Sequence, residues 1–136
     1  MADGVKVQMK IDAKAMSYFK SKLPHKLQEA RKKAVEAAGM VWADEAKEIT
    51  TQDDHIDTGL YVNSIGYVTG SPATSSDVIN DVSDRGSKTT LKIGSNVAYA
   101  GHLEKHFNIM GRALDSSEKR IKKVGQEQIK RTLFGG

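Results

Sequence analysis

The longest periodic stretch in the chain, Pro24 to about Thr50, limits its folds more than any other feature. Leu27, Ala30, Ala34, Ala37/Ala38, Val41 and Glu45 follow one stripe, with Trp42, Ala46 and Ile49 beside it. Apolar residues at three- and four-residue spacing mark an amphipathic helix that must bury one face. Pro24 suits the first turn, where its missing N–H would have no partner anyway. Glu29 and Lys33, four apart, add a little support on the outer face. The alanine-rich middle of the stripe predicts close approach by a neighbouring helix or sheet.

A second feature sets how this helix meets the rest of the chain. In His55-Ile56-Asp57-Thr58-Gly59-Leu60-Tyr61-Val62-Asn63-Ser64-Ile65, Asp57 is placed as an N-cap, its carboxylate within reach of the Leu60 N–H. Ile56 and Tyr61 then occupy the two positions of a hydrophobic staple. Thr58 and Gly59 keep the first turn small enough for other backbone to come close. About a turn and a half is expected before a strand begins at Ile65-Gly66-Tyr67-Val68-Thr69. The stretch reads as a structural corner.

Elsewhere the pattern alternates between strand and helix. Val5, Val7, Met9 and Ile11 alternate with Lys6, Gln8 and Lys10, a half-buried strand with a lysine-bearing outer face. Asp12 can cap a short helix from Ala13 to about Lys22. Residues 70–88 hold two turn-like clusters around Val78–Val82 and read as a hairpin extension or a flexible loop. Thr89–Gly94 is a clearer strand, with Leu91 and Ile93 facing one way. Tyr99, Leu103 and Phe107 recur at i+4, giving a short helix with one apolar face that Met110 and Gly111 end. Asp115-Ser116-Ser117-Glu118 has capping-box spacing, and a last helix is expected from there to about Leu133.

With 136 residues, no cysteine, 38% hydrophobic and 28% charged residues, the chain suits one soluble domain with a real core. Neither a disulfide framework nor a thiolate site is available to it. Met1-Ala2-Asp3-Gly4 lacks the regions of a signal peptide, and the apolar run Ala37–Ala43 is too short to cross a bilayer, so no membrane role is expected. The net charge of +4 is unevenly spread: +6 over residues 1–33, −7 over 34–104 and +5 over 105–136. Three readings fit these basic ends around an acidic middle: contact with nucleic acid, subunit-to-subunit complementarity, and ordinary solvated faces.

Catalytic and metal motifs fail on spacing. In His102-Leu103-Glu104-Lys105-His106 the histidines are four apart, but Glu104 is two from each and so lies on the opposite side of a helix. A zinc-protease helix needs its glutamate beside the first histidine, and no third ligand is evident. Asp53, His55 and Asp57 resemble the start of a calcium loop, yet the glycine is one residue late and Ser64 stands where a bidentate glutamate belongs. With no nucleophile elbow, phosphate-binding glycine loop or paired carboxylates, neither an enzyme nor a cofactor is expected. A small basic nucleic-acid-binding protein is the alternative, although the basic stretches at 26–33 and 119–131 contain no aromatic residue to stack on bases.

Taken together, Asp57-Thr58-Gly59-x-Tyr61-x-x-Ser64-Ile65, the strand Leu91-Lys92-Ile93-Gly94 and Tyr99-Ala100-x-x-Leu103-Glu104 resemble the tail-completion, head–tail joining or neck proteins of long-tailed bacteriophages. Tyr61 stands where that family has leucine. Lys105-His106-Phe107 and Gly111-Arg112-Ala113-Leu114 depart from its Glu-x-Gly-Thr and proline-rich segments. The resemblance implies an α+β fold, a small antiparallel sheet packed by one long helix with a C-terminal helix after it. It also implies a non-enzymatic virion role. Subunits made in the host cytoplasm would form a ring, sixfold like the tail tube, at the head-proximal end of the tail. That ring would dock onto the head stopper or connector protein and onto tail-tube protein. Lys119, Arg120, Lys122 and Lys123 would then face either a neighbour's acidic middle or viral DNA in the channel.

Overall fold

The computed structural model describes residues 4–12, 24–53, 59–85 and 88–134. Val5–Asp12 forms strand β1 and Pro24–Gln52 the long helix α1. Single 3-10 turns at Val62–Ser64 and Ser75–Asp77 precede β2 (Val78–Arg85) and β3 (Lys88–Ser95). Helices α2 (Ala100–Phe107) and α3 (Ile109–Phe134) complete an α+β fold. The short helix expected over 13–22 and the Asp57 cap lie outside the described residues, as do Ile56 and Thr58.

β3 is the central strand and pairs antiparallel with both neighbours, from Val5↔Ser95 to Asp12↔Lys88 on one side and from Val78↔Ser95 to Arg85↔Lys88 on the other. Strand alternation sends Thr89, Leu91, Ile93 and Ser95 inward, and all four are buried. Fully burying side chains the size of Leu91 and Ile93 contributes about 1.5–3 kcal/mol each. At Gly94 a side chain would have no room. An added Cβ would lie 1.9 Å from the Val5 carbonyl oxygen of β1, so the strand pair closes only over a glycine.

α1 covers the inner face of the sheet and pairs with α3. The contacts run in opposite order along the two helices: Trp42 with Met110, Glu45 with Ser116, and Leu27 and Ala30 with Leu133. The pair is therefore antiparallel. Trp42, Ala46 and Ile49 carry the centre of the buried stripe, while Val41 and Glu45 lie at its edge. The close approach expected from small residues occurs at Gly39, where a Cβ would come within 2.6 Å of Leu91 Cδ2. Two clusters result. The main one joins α1, the sheet, α2 and the start of α3; a small second one holds Leu27, Ala30 and Leu133, with Ile129 packed against it. Buried Arg31 fastens α1 to the β2–β3 hairpin, donating to Thr89 Oγ1 at 2.9 Å and to both Asp84 oxygens at 3.0 and 3.3 Å.

Three expectations need correction. Residues 65–69 are not a strand. Gly66 takes φ +75°, its N–H reaches the Gly94 carbonyl and its own carbonyl accepts from Asn80 Nδ2, so the segment folds across the end of the sheet. The last helix starts at Ile109 and not at Asp115. The break falls at Asn108, in the left-handed region at φ 48°, while Met110 and Gly111 lie in the first turn of α3. Asp115 and Glu118 are consequently exposed mid-helix residues, Glu118 pairing with Lys122. In α2, Leu103 packs on the core, but Tyr99 and Phe107 are 41% and 39% exposed. Residues 70–88, for their part, contain all of β2, hydrogen-bonded to β3 along its length.

Lys47 holds the 65–69 segment against α1. Its Nζ donates to the Tyr67 carbonyl at 2.7 Å and to Thr69 Oγ1 at 3.2 Å, and lies 3.5 Å from the centre of the Tyr67 ring. Burial lowers its pKa from 10.5 to about 8, against the opposing pull of Asp44. Between those values the unfolded chain binds the extra proton, so raising the pH favours the fold. The Tyr67 phenol, raised to about 12 mainly by its hydrogen bond to Asp44, works in the opposite sense only above the ordinary tyrosine range. Urea unfolding at pH 7.5 and 9.5 should therefore show a gain for the parent chain over Lys47→Met on the order of 1 kcal/mol; equal pH responses would rule this out.

Candidate assembly surface

The two halves of the sequence signature meet inside the molecule. Gly59 is left-handed at φ +86° and its N–H-accepting turn continues through Asn63 N–H to the Gly59 carbonyl. Where a capped turn and a half of helix was expected, the described residues hold a turn at 59–61 and the single 3-10 turn at Val62–Ser64, because Gly59 is left-handed and not helical. Tyr61 and Ile65 point into the core, 3% and 0% exposed. The buried Ser64 hydroxyl lies 2.8 Å from the Tyr61 carbonyl and 2.7 Å from Ser95 Oγ, tying the corner to the end of β3. Across from it, Ala100 is fully buried, Leu103 packs on the core, and the Tyr99 ring sits 6.5 Å from that of Tyr61. Gly59 does not face this second segment. It lies against Asn63, Ser71 and Pro72, and Tyr61 makes the link instead.

Glu104 has a function that its spacing from the histidines did not suggest. Its Oε1 accepts the Met110 N–H at 2.7 Å and its Oε2 the Gly111 N–H at 3.1 Å. These are donors of the first turn of α3, which has no intrahelical partner for them. A carboxylate there also meets the positive end of the helix dipole. On the opposite side Trp42 Nε1 donates to the Met110 carbonyl at 3.1 Å, and Arg112 donates to the Phe107 and Asn108 carbonyls while pairing with Asp53. The α2–α3 joint is thus held by residues from four parts of the chain. Asn108, a residue type that tolerates the left-handed region, was the available sequence signal for this break; nothing comparable marks Arg31, Lys47 or the Trp42 bond. His102 and His106 stack on the outer face of α2 with ring centres 4.2 Å apart.

The remaining charges face outward. Lys119, Arg120, Lys122 and Lys123 are all exposed on α3, Arg120 3.8 Å from Glu45 and Lys122 3.3 Å from Glu118. Of the exposed large apolar residues, Tyr99, Phe107 and Leu114, 38–41% exposed, belong to the segments on either side of the joint, while Met40, Val68 and Phe134 lie elsewhere. Among the described residues no helix is long and apolar enough to cross a membrane.

The family model described as "Bacteriophage HK97-gp10, putative tail-component" matches residues 13–105. That is more than half of the chain, and the protein belongs to this HK97-gp10-like family of phage tail components. The matched span includes both halves of the signature and ends just before α3. No curated protein and no solved structure matches the chain.

Burial pushes the Tyr61 phenol well above its ordinary range, with the Glu104 and Tyr99 charges adding to the effect. The Tyr61 hydroxyl is buried with no hydrogen-bond partner among the described residues. A buried hydroxyl left unpaired costs about 1–3 kcal/mol. Tyr61→Phe should thus match or exceed the parent in thermal stability, and a marked loss would reveal an unseen partner for the hydroxyl. Glu104→Gln keeps one acceptor, whereas Glu104→Ala keeps none. Denaturant titrations should place the alanine variant lower by about 1–2 kcal/mol and the glutamine variant between it and the parent.

Proposed function

We propose that this protein is a tail-completion, or head–tail joining, protein of a tailed bacteriophage. In this reading it is a structural virion component and not an enzyme. Its subunits close into a ring, sixfold like the tail tube, at the head-proximal end of the tail. One face of the ring meets the head stopper or connector protein and the other meets tail-tube protein. The family match across both halves of the signature carries the reading.

The surface chemistry supports it. Identical subunits joined through two different patches form a ring when the rotation closes. The exposed Tyr99, Phe107 and Leu114 suit the core of such a contact, because aromatic residues are enriched at the centres of interfaces. The exposed cations of α3 supply a complementary rim for the acidic middle of the sequence, where rim charges govern encounter rate and orientation more than affinity.

Combining K119E, R120E, K122E and K123E should leave the thermal melt near that of the parent while abolishing the joining of purified heads to tails in vitro. Joining at the parent rate would remove these four residues from the interface. Sedimentation of the parent protein over a concentration series checks the ring itself, which a monomer at every concentration, with and without purified tails, would contradict.

A further inference from the structure

The sheet has an outer face that no helix among the described residues covers, and it is strongly basic. Register places Lys10, Thr90 and Ser83 in one row across the three strands, with Lys88 and Arg85 in the next row and Lys92 in the row before. These residues line an open depression of about 530 Å³. The acids on this face are Asp81, opposite Lys92, and Asp12 by register at the Lys88 end. With Lys6 further along β1, cations outnumber acids on the face. We propose that this face binds the phosphate backbone of duplex DNA without regard to sequence.

Side-chain chemistry decides between DNA and a protein partner. Lys, Arg, Ser and Thr are the residues that donate to phosphate oxygens. Lysine and serine are depleted from the centres of protein interfaces, where aromatic residues and Met concentrate. Among the described residues, the exposed large apolar ones, Met40, Val68, Tyr99, Phe107, Leu114 and Phe134, all lie off the outer face of the sheet. The face carries no aromatic group for unstacked bases to rest on, which favours an intact duplex over a single strand. Its charge is carried by the strands and that of the C-terminal region by α3, the two adjoining where Lys10 and Lys122 line one cavity, so the two sets of residues are removed in separate variants. The inference holds whether or not the chain closes into a ring.

Fluorescence anisotropy with a labelled duplex of about 20 bp, titrated between about 50 and 200 mM salt, tests it. The parent protein should bind saturably, with an affinity that falls steeply as salt rises. Combining K10Q, R85Q, K88Q and K92Q should weaken binding at least tenfold at low salt and flatten the log–log salt slope by about 3–4. The matching α3 variant, K119Q with R120Q, K122Q and K123Q, should keep most of the affinity. Circular dichroism checks that each variant is folded. If the quadruple sheet variant is not, K10Q with R85Q should lose about half as much slope. Failure of the parent to bind at low salt, parental binding by the sheet variant, or loss confined to the α3 variant would each overturn the inference. Equal competition by polyglutamate would overturn it too, assigning the face to an acidic protein. None of these outcomes depends on ring formation, so a failed ring and a failed DNA face are read separately.

Discussion

Two hydrogen bonds from one carboxylate decide where the last helix goes. Glu104 sits midway along a short helix and accepts from the Met110 and Gly111 N–H groups in the first turn of the next, across a single left-handed residue. Without an acceptor there, the start of α3 would be buried with orphan donors, the costliest way to begin a helix. With it, Met110 is fixed where its carbonyl meets the Trp42 indole, and α3 lies antiparallel along α1. The helix pair, the cover over the sheet and the outward direction of the α3 cations all follow from that joint. The signature residue is conspicuous for its polarity, yet its work is internal.

Much of the fold was legible in the residues. Strict alternation in β1, the small-residue stripe of α1 and the Leu91/Ile93 pair each gave the right element, because each repeats a short pattern imposed by local geometry. What was misread depended on contacts between distant residues. Ile65–Thr69 has strand composition, but Gly66 turns and Lys47 of α1 takes hold of the Tyr67 carbonyl, so tertiary contacts override propensity. Asp115–Glu118 has capping-box spacing, but the Glu104 carboxylate had already started the helix six residues earlier. Tyr99, Leu103 and Phe107 have helical spacing, yet only Leu103 packs on the core, Tyr99 meeting Tyr61 from a partly exposed position and Phe107 staying outside.

The signature itself divides the same way. Sequence spacing linked Tyr61, Ser64 and Ile65 to Tyr99, Ala100 and Leu103 without saying how they touch; the structure joins them through the Tyr61–Tyr99 rings and the Ser64–Ser95 hydroxyls. These residues build the scaffold. The side chains left outside are of another kind, aromatic residues by the joint and the exposed cations of α3 and of the sheet.

The second, smaller cluster gives the helix pair two unequal ends. Around Trp42 the pair is locked into sheet, corner and joint together. Around Leu27, Ala30, Ile129 and Leu133 it rests on a handful of aliphatic contacts beyond the reach of the signature. Local opening follows the thinnest packing, so the helix pair separates first at the Leu27–Leu133 end, where Arg31 still ties α1 to the hairpin. The signature, packed at the other end, is left undisturbed by such opening.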